Sequence, residues 1–504
     1  MQVNNEALNS WIFDHSVFRD LHGGNSSSSD SSDEDDDLLP EPTRAPRSLK
    51  ARYSVQDRYN SLLFNTYLSQ EALQDGVRND DSYRGKKFRR RFRVPYSIFL
   101  EICDDLKRTN KVADHGKDAT GAETVCTDLL VLGSLRVMGS GCTFDVVEEL
   151  TNVHEETHRV FFHEQFCKWG DRVSSTHISM PTDLIRLRHI MGLYERLGLP
   201  GCAGSVDSCV HLVWDRCPAG LGNVCRGKDK VPTLAFQVVA SHTKKILSVS
   251  QYFWGTVNDK TISRADQVFN LFRDEGGNIA THKWHTVTPV AATDSNNYSN
   301  NNLNNVDTSN YASSLTTSSV LTTEHTGAYM ICDGGYHQWP CLMFPFKHQP
   351  AGTDLEMWSS QIESVRKDVE CVFGILKKRF LFLKHPIRIA SAQKIERVFV
   401  TCCVLHNLLI DYDGTDNWNW NDEDVNVEYN VPEDTARLRA ENSVNCHGVA
   451  GLRSARREEY GVGEDEYGVS DVCLEEREAF HERRLKLIQH FRRMYNARAL
   501  RLGS

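Results

Sequence analysis

The chain has 504 residues, of which 40% are hydrophobic, enough for about two to four domains with at least one sizeable core. Its net charge of −10 counts against a polyanion partner only as an average, because acids and bases are segregated along the chain. No run of about 18 apolar residues occurs, and Met1–Asp20 lacks a basic stretch followed by an apolar one, so neither a membrane span nor a secretory leader is expected.

Residues 1–50 are polar and serine-rich, with Asp30, Asp33, Glu34, Asp35, Asp36 and Asp37 in one run. They carry too little apolar surface to offset chain entropy and are expected to be disordered. The run RGKKFRRRFR then sets Phe88 and Phe92 among arginines. It reads as a nuclear-import signal or a phosphate-binding arm, with Arg89, Arg90 and Arg91 on DNA; a solvated helix start is the plainer alternative. Tyr96–Arg108 places Ile98, Phe99, Ile102 and Leu106 on one helical face. Three more amphipathic stretches follow: CTDLLVLGSLRVMG, FDVVEELTNV and HEETHRVFFHEQFCKWG. Residues 51–198 therefore read as an all-α, helix-turn-helix-like DNA-binding region, although any small bundle shows the same pattern.

After Pro200 the period changes. SVDSCVHLVW, TLAFQVVAS and KILSVSQYF read as consecutive strands, with SHTKK as a hairpin, and Ile262–Arg273 reads as a helix. Residues 276–326 are rich in Asn, Ser and Thr and are expected to be a disordered insertion. The strand AYMIC resumes, and helices are expected over Asp354–Phe380 and Ala392–Ile410. Residues 413–473 read as an acidic linker, and 474–504 as a basic C-terminal helix. The fold class expected for 199–412 is α/β with a mixed sheet. Of the 15 cysteines, Cys202, Cys209, Cys217 and Cys225 are too widely spaced for a zinc knuckle, so buried reduced thiols of a cytosolic or nuclear protein are expected.

Three acids stand out. Asp207 is expected at the end of the first strand, and Asp333 at the end of a later one with two glycines behind it. Glu370 lies on a helix beside Arg366, Gly374 and Lys377. Three carboxylates on neighbouring elements can hold two hard cations about 4 Å apart, the arrangement that activates water and stabilises a leaving oxygen in phosphodiester cleavage. Taken singly, each acid is more simply a solvated charge or a helix cap. Asp259, after Asn258, could support the metals or merely belong to a turn. Arg366, Lys377, Lys378 and Arg379 are candidates for phosphate contacts that position DNA without reading bases; a solvated basic helix is the alternative. Gly374 suits close packing or close approach of DNA. His406 and Asn407 sit on an apolar helix, where a satisfied core histidine is the simpler reading; His282 and His285 read as incidental.

In order, GSVD, RGKDKVPTLAFQVVAS, GTVNDKTI, CDGGY, RKDVECVFGILKKRF and VLHNLLID resemble the PIF/Harbinger superfamily of DDE transposases, of the plant transposon protein type and its host-domesticated relatives. The similarity covers Gly201–Asp411, less the Asn-rich stretch, and its specific parts are DGGY and the motif around Glu370. It implies a ribonuclease H-like core with Asp207, Asp333 and Glu370 as catalytic ligands of two Mg²⁺ or Mn²⁺ ions. It also implies cleavage of DNA at element ends and attack of the freed 3′-hydroxyl on target DNA. A Myb/SANT-like partner protein, a homo-oligomeric state and a nuclear location, with some protein in the cytoplasm, are further expectations. One departure concerns a histidine that the family commonly has three residues after the first acid; His211 comes four after Asp207. The function expected is a DDE-type transposase or endonuclease. The alternative is a domesticated DNA- or chromatin-binding protein without transposition, and a metal-dependent phosphatase or unrelated nuclease stands third.

Overall fold

The computed structural model describes residues 53–110, 117, 123–228, 230–273, 277–289, 320–415 and 473–496. The expectations for the acidic tail 1–50, for residues 290–319 of the Asn-rich stretch and for the linker beyond 415 lie outside the described residues.

Five strands make the main sheet path, with a sixth attached. β1 (Cys202–Val213), β2 (Thr233–Ala240) and β3 (Ile246–Val249) form an antiparallel meander, and β4 (Phe253–Trp254) also pairs with β2. On the other side of β1, β7 (Tyr329–Ile331) and β8 (Leu342–Met343) run parallel to it. The order is β3-β2-β1-β7-β8, an α/β fold with a mixed sheet. β2 is buried along its whole length, which explains why TLAFQVVA reads as a continuous apolar run. The expected hairpin at SHTKK joins β2 to β3, with Lys244 in the left-handed region at φ 69°.

The N-terminal helices do not stand apart from this sheet. α1 (Tyr83–Phe92), α2 (Tyr96–Asn110) and α3 (Thr127–Ser140) bury Phe88, Phe92, Phe99 and Leu132 in the same apolar cluster as Leu234, Phe236 and Val238 of β2. From Val55 onward the described residues accordingly belong to one compact unit. α4 (Phe144–Thr151) and α5 (Glu155–Phe161) are joined through Asn152, whose φ of 51° turns the chain. The stretch expected as a single helix is α5, a wide π turn at Phe162–Phe166, and α6 (Cys167–His177).

α7 (Leu184–Arg196) leads into β1, and α8 (Asp259–Ala265) follows β4. α9 (Asp354–Arg379) and α10 (Ala392–Tyr412) are the two long helices. α9 is capped by Thr353, carries Asp354 and Glu356 in its first turn and Lys377, Lys378 and Arg379 in its last, which suits the helix dipole at both ends. Trp358, Ile362, Val365, Val369, Val372 and Leu376 recur at helical spacing on its buried face. α6 and α10 cross closely at Gly170, where a Cβ would overlap the Thr401 side chain. Gly170→Ala should therefore cost about 1–3 kcal/mol in urea unfolding, overriding the gain of about 1 kcal/mol that alanine brings to a helix.

One expectation needs correction. Residues 283–289 and 320–326, expected within a structureless insertion, pair as the antiparallel strands β5 (Lys283–Pro289) and β6 (Val320–Thr326). Their Thr, Val and Trp residues supply the β-forming character that the surrounding Asn and Ser runs conceal. The C-terminal helix α11 (Leu474–Asn496) packs against the sheet. Phe480, Leu487, Ile488 and Phe491 enter the cluster that holds Tyr329, Ile331 and Trp358. Arg483 donates to the carbonyls of Thr326 and Pro340 at 2.6 and 2.7 Å, and the Arg484 guanidinium stacks on Phe346. No described helix is long and apolar enough to cross a membrane.

Candidate active site

Ser205 of β1 pairs with Ile331 of β7 in parallel register. Asp207 and Asp333 each lie two residues further on, so they stand level on neighbouring chain segments, at the usual strand spacing of about 4.8 Å. Asp333 follows the end of β7, as expected. Asp207 does not end its strand: β1 continues alongside β2 to Val213. Asp207 sits two residues beyond the level at which β7 stops.

A β-bulge sets the direction of Asp207. Asp207 pairs with Val238 and Val210 with Phe236, so three steps on β1 match two on β2. Val238 and Phe236 share a face, and the extra residue brings Asp207 and Val210 onto it together, although their spacing in a regular strand would put them on opposite faces. The same bulge accommodates the extra residue before His211. His211 itself turns to Thr233, its Nδ1 lying 3.3 Å from the hydroxyl.

α9 brings Glu363, Arg366 and Glu370 onto one face at i, i+3 and i+7. Arg366 is the centre. Its Nη1 lies 3.1 Å from Asp207 Oδ2 and 2.8 Å from Glu370 Oε1, and its Nη2 lies 2.7 Å from Glu363 Oε1. The Arg366 side chain is only 10% exposed, against 42% for Glu370. Burial works against its charge, yet Glu363, Asp207 and Glu370 outweigh that and raise its pKa above the ordinary arginine value. The hydrogen bond from Arg366 in turn lowers the Glu363 pKa. Arg366 is thus committed to carboxylates inside the protein rather than presented to solvent for phosphate.

Asp333 keeps different company. Its Oδ1 accepts from the Gly335 amide at 2.8 Å. A Cβ on Gly335 would stand 3.0 Å from that oxygen and 2.9 Å from Asp259 Oδ2, so both carboxylates crowd the same glycine. Asn258 caps α8 by accepting from the Thr261 amide, and Asp259 opens the helix with its Oδ1 receiving the Ser208 hydroxyl. Tyr336 is buried beside Asp207, Ser208 and Asp259, and donates to Gln237, which donates to Asp266. The four acids therefore fall into two pairs, Asp207 with Glu370 around Arg366, and Asp259 with Asp333 around Gly335. Glu363, Ser208 and Tyr336 are absent from the sequence-derived set. Only Glu363 carried a signal, its helical spacing from Arg366 and Glu370.

The other candidates are dispersed. Lys377 approaches the His211 carbonyl at 3.5 Å, and Lys378 is exposed. Arg379 turns inward: its Nη1 lies 3.0 Å from His406 Nδ1, and His406 Nε2 lies 2.9 Å from the Lys244 carbonyl. His406 is fully buried, burial lowers its pKa to about 4, and it is a satisfied core histidine. A Cβ on Gly374 would meet nothing, so that glycine serves no close packing within the chain. On α1, Arg89 is paired with Asp413 and Arg91 donates to the Tyr67 hydroxyl, while Arg90 is exposed. Phe88 and Phe92 belong to the core and offer no ring to a base. α5 opens with two acids, Glu155 and Glu156, whose charge would repel a phosphate backbone.

The donor set fits a hard divalent cation in kind, because all four side chains offer carboxylate oxygens. It also fits in direction, because oxygens of Asp207 and Glu370 already surround one positive charge, the Arg366 guanidinium. Among the described residues no three acids, histidines or cysteines gather closely enough to hold an ion.

Residues 177–288 and 277–417 match the family model described as plant transposon protein. A curated Arabidopsis thaliana relative, described as "Protein ALP1-like", is 21% identical over 332 residues, covering 65% of this chain and 71% of that protein. No solved structure matches. Both Asp333 and Glu370 lie within the second matched stretch, and Asp207 and Asp259 within the first. Through these stretches the chain belongs to the plant transposon protein family, related to the Harbinger transposases.

Proposed function

We propose that the protein is a metal-dependent DNA endonuclease of the DDE transposase type, working on a ribonuclease H-like core. The observation that carries this reading is the parallel register of β1 and β7, which sets Asp207 level with Asp333 while α9 brings Glu370 to the same Arg366. The sheet order, an antiparallel meander extended by two parallel strands, supports the ribonuclease H-like assignment.

Asp207, Asp333 and Glu370 would hold two Mg²⁺ or Mn²⁺ ions, with Asp259 as a fourth acid beside Asp333. Such ions supply an activated water and neutralise the charge that develops on a phosphodiester. The chain's own part is positioning. The bulge aims Asp207, the Gly335 amide orients Asp333, and the Ser208 hydroxyl holds Asp259. Lys377 and Lys378, at the end of α9, are the proposed phosphate contacts, with Arg90 as a more remote one. Element ends and target DNA are the proposed substrates. A nuclear location, self-association and a Myb/SANT-like partner protein complete the proposal.

A second reading, a domesticated DNA- or chromatin-binding protein without cleavage, draws on one observation: Arg366 already neutralises two of the acids. Incubating the purified chain with DNA that carries the element's terminal sequences separates the two. Strand breaks at the ends in Mg²⁺ and none in EDTA support the endonuclease. DNA retention with no breaks in Mg²⁺ or Mn²⁺ supports the second reading.

A further inference from the structure

We propose that Arg366 is an exchangeable internal cation, which holds the acidic site together until a divalent ion displaces it onto Glu363. The inference rests on the metal-dependent reading above and deepens it.

One nitrogen, Arg366 Nη1, serves Asp207 and Glu370 at 3.1 and 2.8 Å. A Mg²⁺ ion binds carboxylate oxygen at about 2.1 Å. An ion ligated by these two oxygens would stand almost on top of Nη1, where like charge and steric overlap exclude it. Guanidinium and metal are therefore alternatives. Glu363 supplies the place to go. It holds the other side of the guanidinium, with Oε1 2.7 Å from Nη2 and Oε2 3.4 Å from Nε, one helical turn before Arg366 and more exposed than it. A swing toward Glu363 keeps two hydrogen bonds and leaves Asp207 and Glu370 open.

Arg366 also accounts for how these acids stay together without metal. Asp207 is buried, and two carboxylates this close to a shared centre repel one another unless a cation lies between them. The cost is metal affinity, since binding must displace an existing partner. A neighbouring unit charge shifts a carboxylate's proton affinity by about one to three powers of ten, so the effect on a divalent ion should be at least about tenfold.

The test is Mn²⁺ binding to metal-stripped full-length protein by calorimetry, with melting curves in EDTA and in Mn²⁺. Arg366→Met should melt lower than wild type in EDTA, bind Mn²⁺ at least about tenfold more tightly, and gain more in melting temperature from Mn²⁺. Glu363→Gln should weaken Mn²⁺ binding several-fold, because the displaced guanidinium loses its partner. Lys367→Met removes a neighbouring exposed charge from the same helix and should change affinity by less than about threefold. Arg366→Gln replaces the Met variant if that fails to fold. Wild-type binding with no tightening in either Arg366 variant overturns the exchange and leaves the metal site standing. Absence of Mn²⁺ binding in wild type and both variants at millimolar metal removes the metal-dependent reading and the exchange with it.

Discussion

Asp333→Asn is expected to abolish Mg²⁺-dependent DNA cleavage while leaving the melting temperature within about 1 °C of wild type. Loss even of an outer partner of a metal ligand costs about 10–100-fold, so loss of a ligand's charge should cost at least about 10³-fold. The fold has little stake in that charge, since the described contact of Asp333 is an oxygen accepting the Gly335 amide at 2.8 Å, which an asparagine oxygen reproduces. Asp207→Asn should be equally inactive and also less stable, by about 1–3 kcal/mol, because it strips a charged acceptor from a buried guanidinium. Cleavage assays and calorimetry on the two variants therefore give different pairs of results. An Asp333→Asn protein that cleaves at the wild-type rate would remove Asp333 from the site.

The sequence made the acids legible and left their partners hidden. Asp333 and Glu370 could be picked out because each sits in a distinctive local context, a strand followed by Gly-Gly and a helical face that sets Glu370 beside Arg366, Gly374 and Lys377. Asp207 was harder, since its orientation depends on a bulge, a two-strand property that no single segment displays. Arg366 was visible as a base and misassigned, because a one-dimensional pattern cannot tell an arginine aimed at DNA from one aimed at Asp207 on a distant strand. Arg379 and Arg91 show the same ambiguity: the first lies against His406 and the second against Tyr67. The β5–β6 ribbon escaped because composition averaged over a long polar stretch conceals short strands at its two ends.

Removing residues 473–504 should lower the melting temperature by about 5 °C or more, or leave the protein insoluble. Residues 474–504 read from the sequence as a basic C-terminal helix, and α11 within them covers the flank of the sheet. Phe480, Leu487, Ile488 and Phe491 are each nearly or fully buried, and burying such a side chain is worth about 1.5–3 kcal/mol. Chain entropy released on truncation offsets part of that sum, leaving a net loss on the order of several kcal/mol. At about 1–2 °C per kcal/mol for a chain of this length, a shift of about 5 °C or more follows. The exposed counterpart, around Phe344, Phe346 and Trp358, would present a new apolar patch and promote aggregation. Arg484→Ala tests the same docking more gently. Its guanidinium lies against the rings of Phe344, Phe346, Trp358 and Phe480, so loss of cation–π contacts and stem packing should cost about 1–2 kcal/mol. A truncated protein that stays soluble and melts with the full-length chain would mean that α11 contributes nothing to the fold.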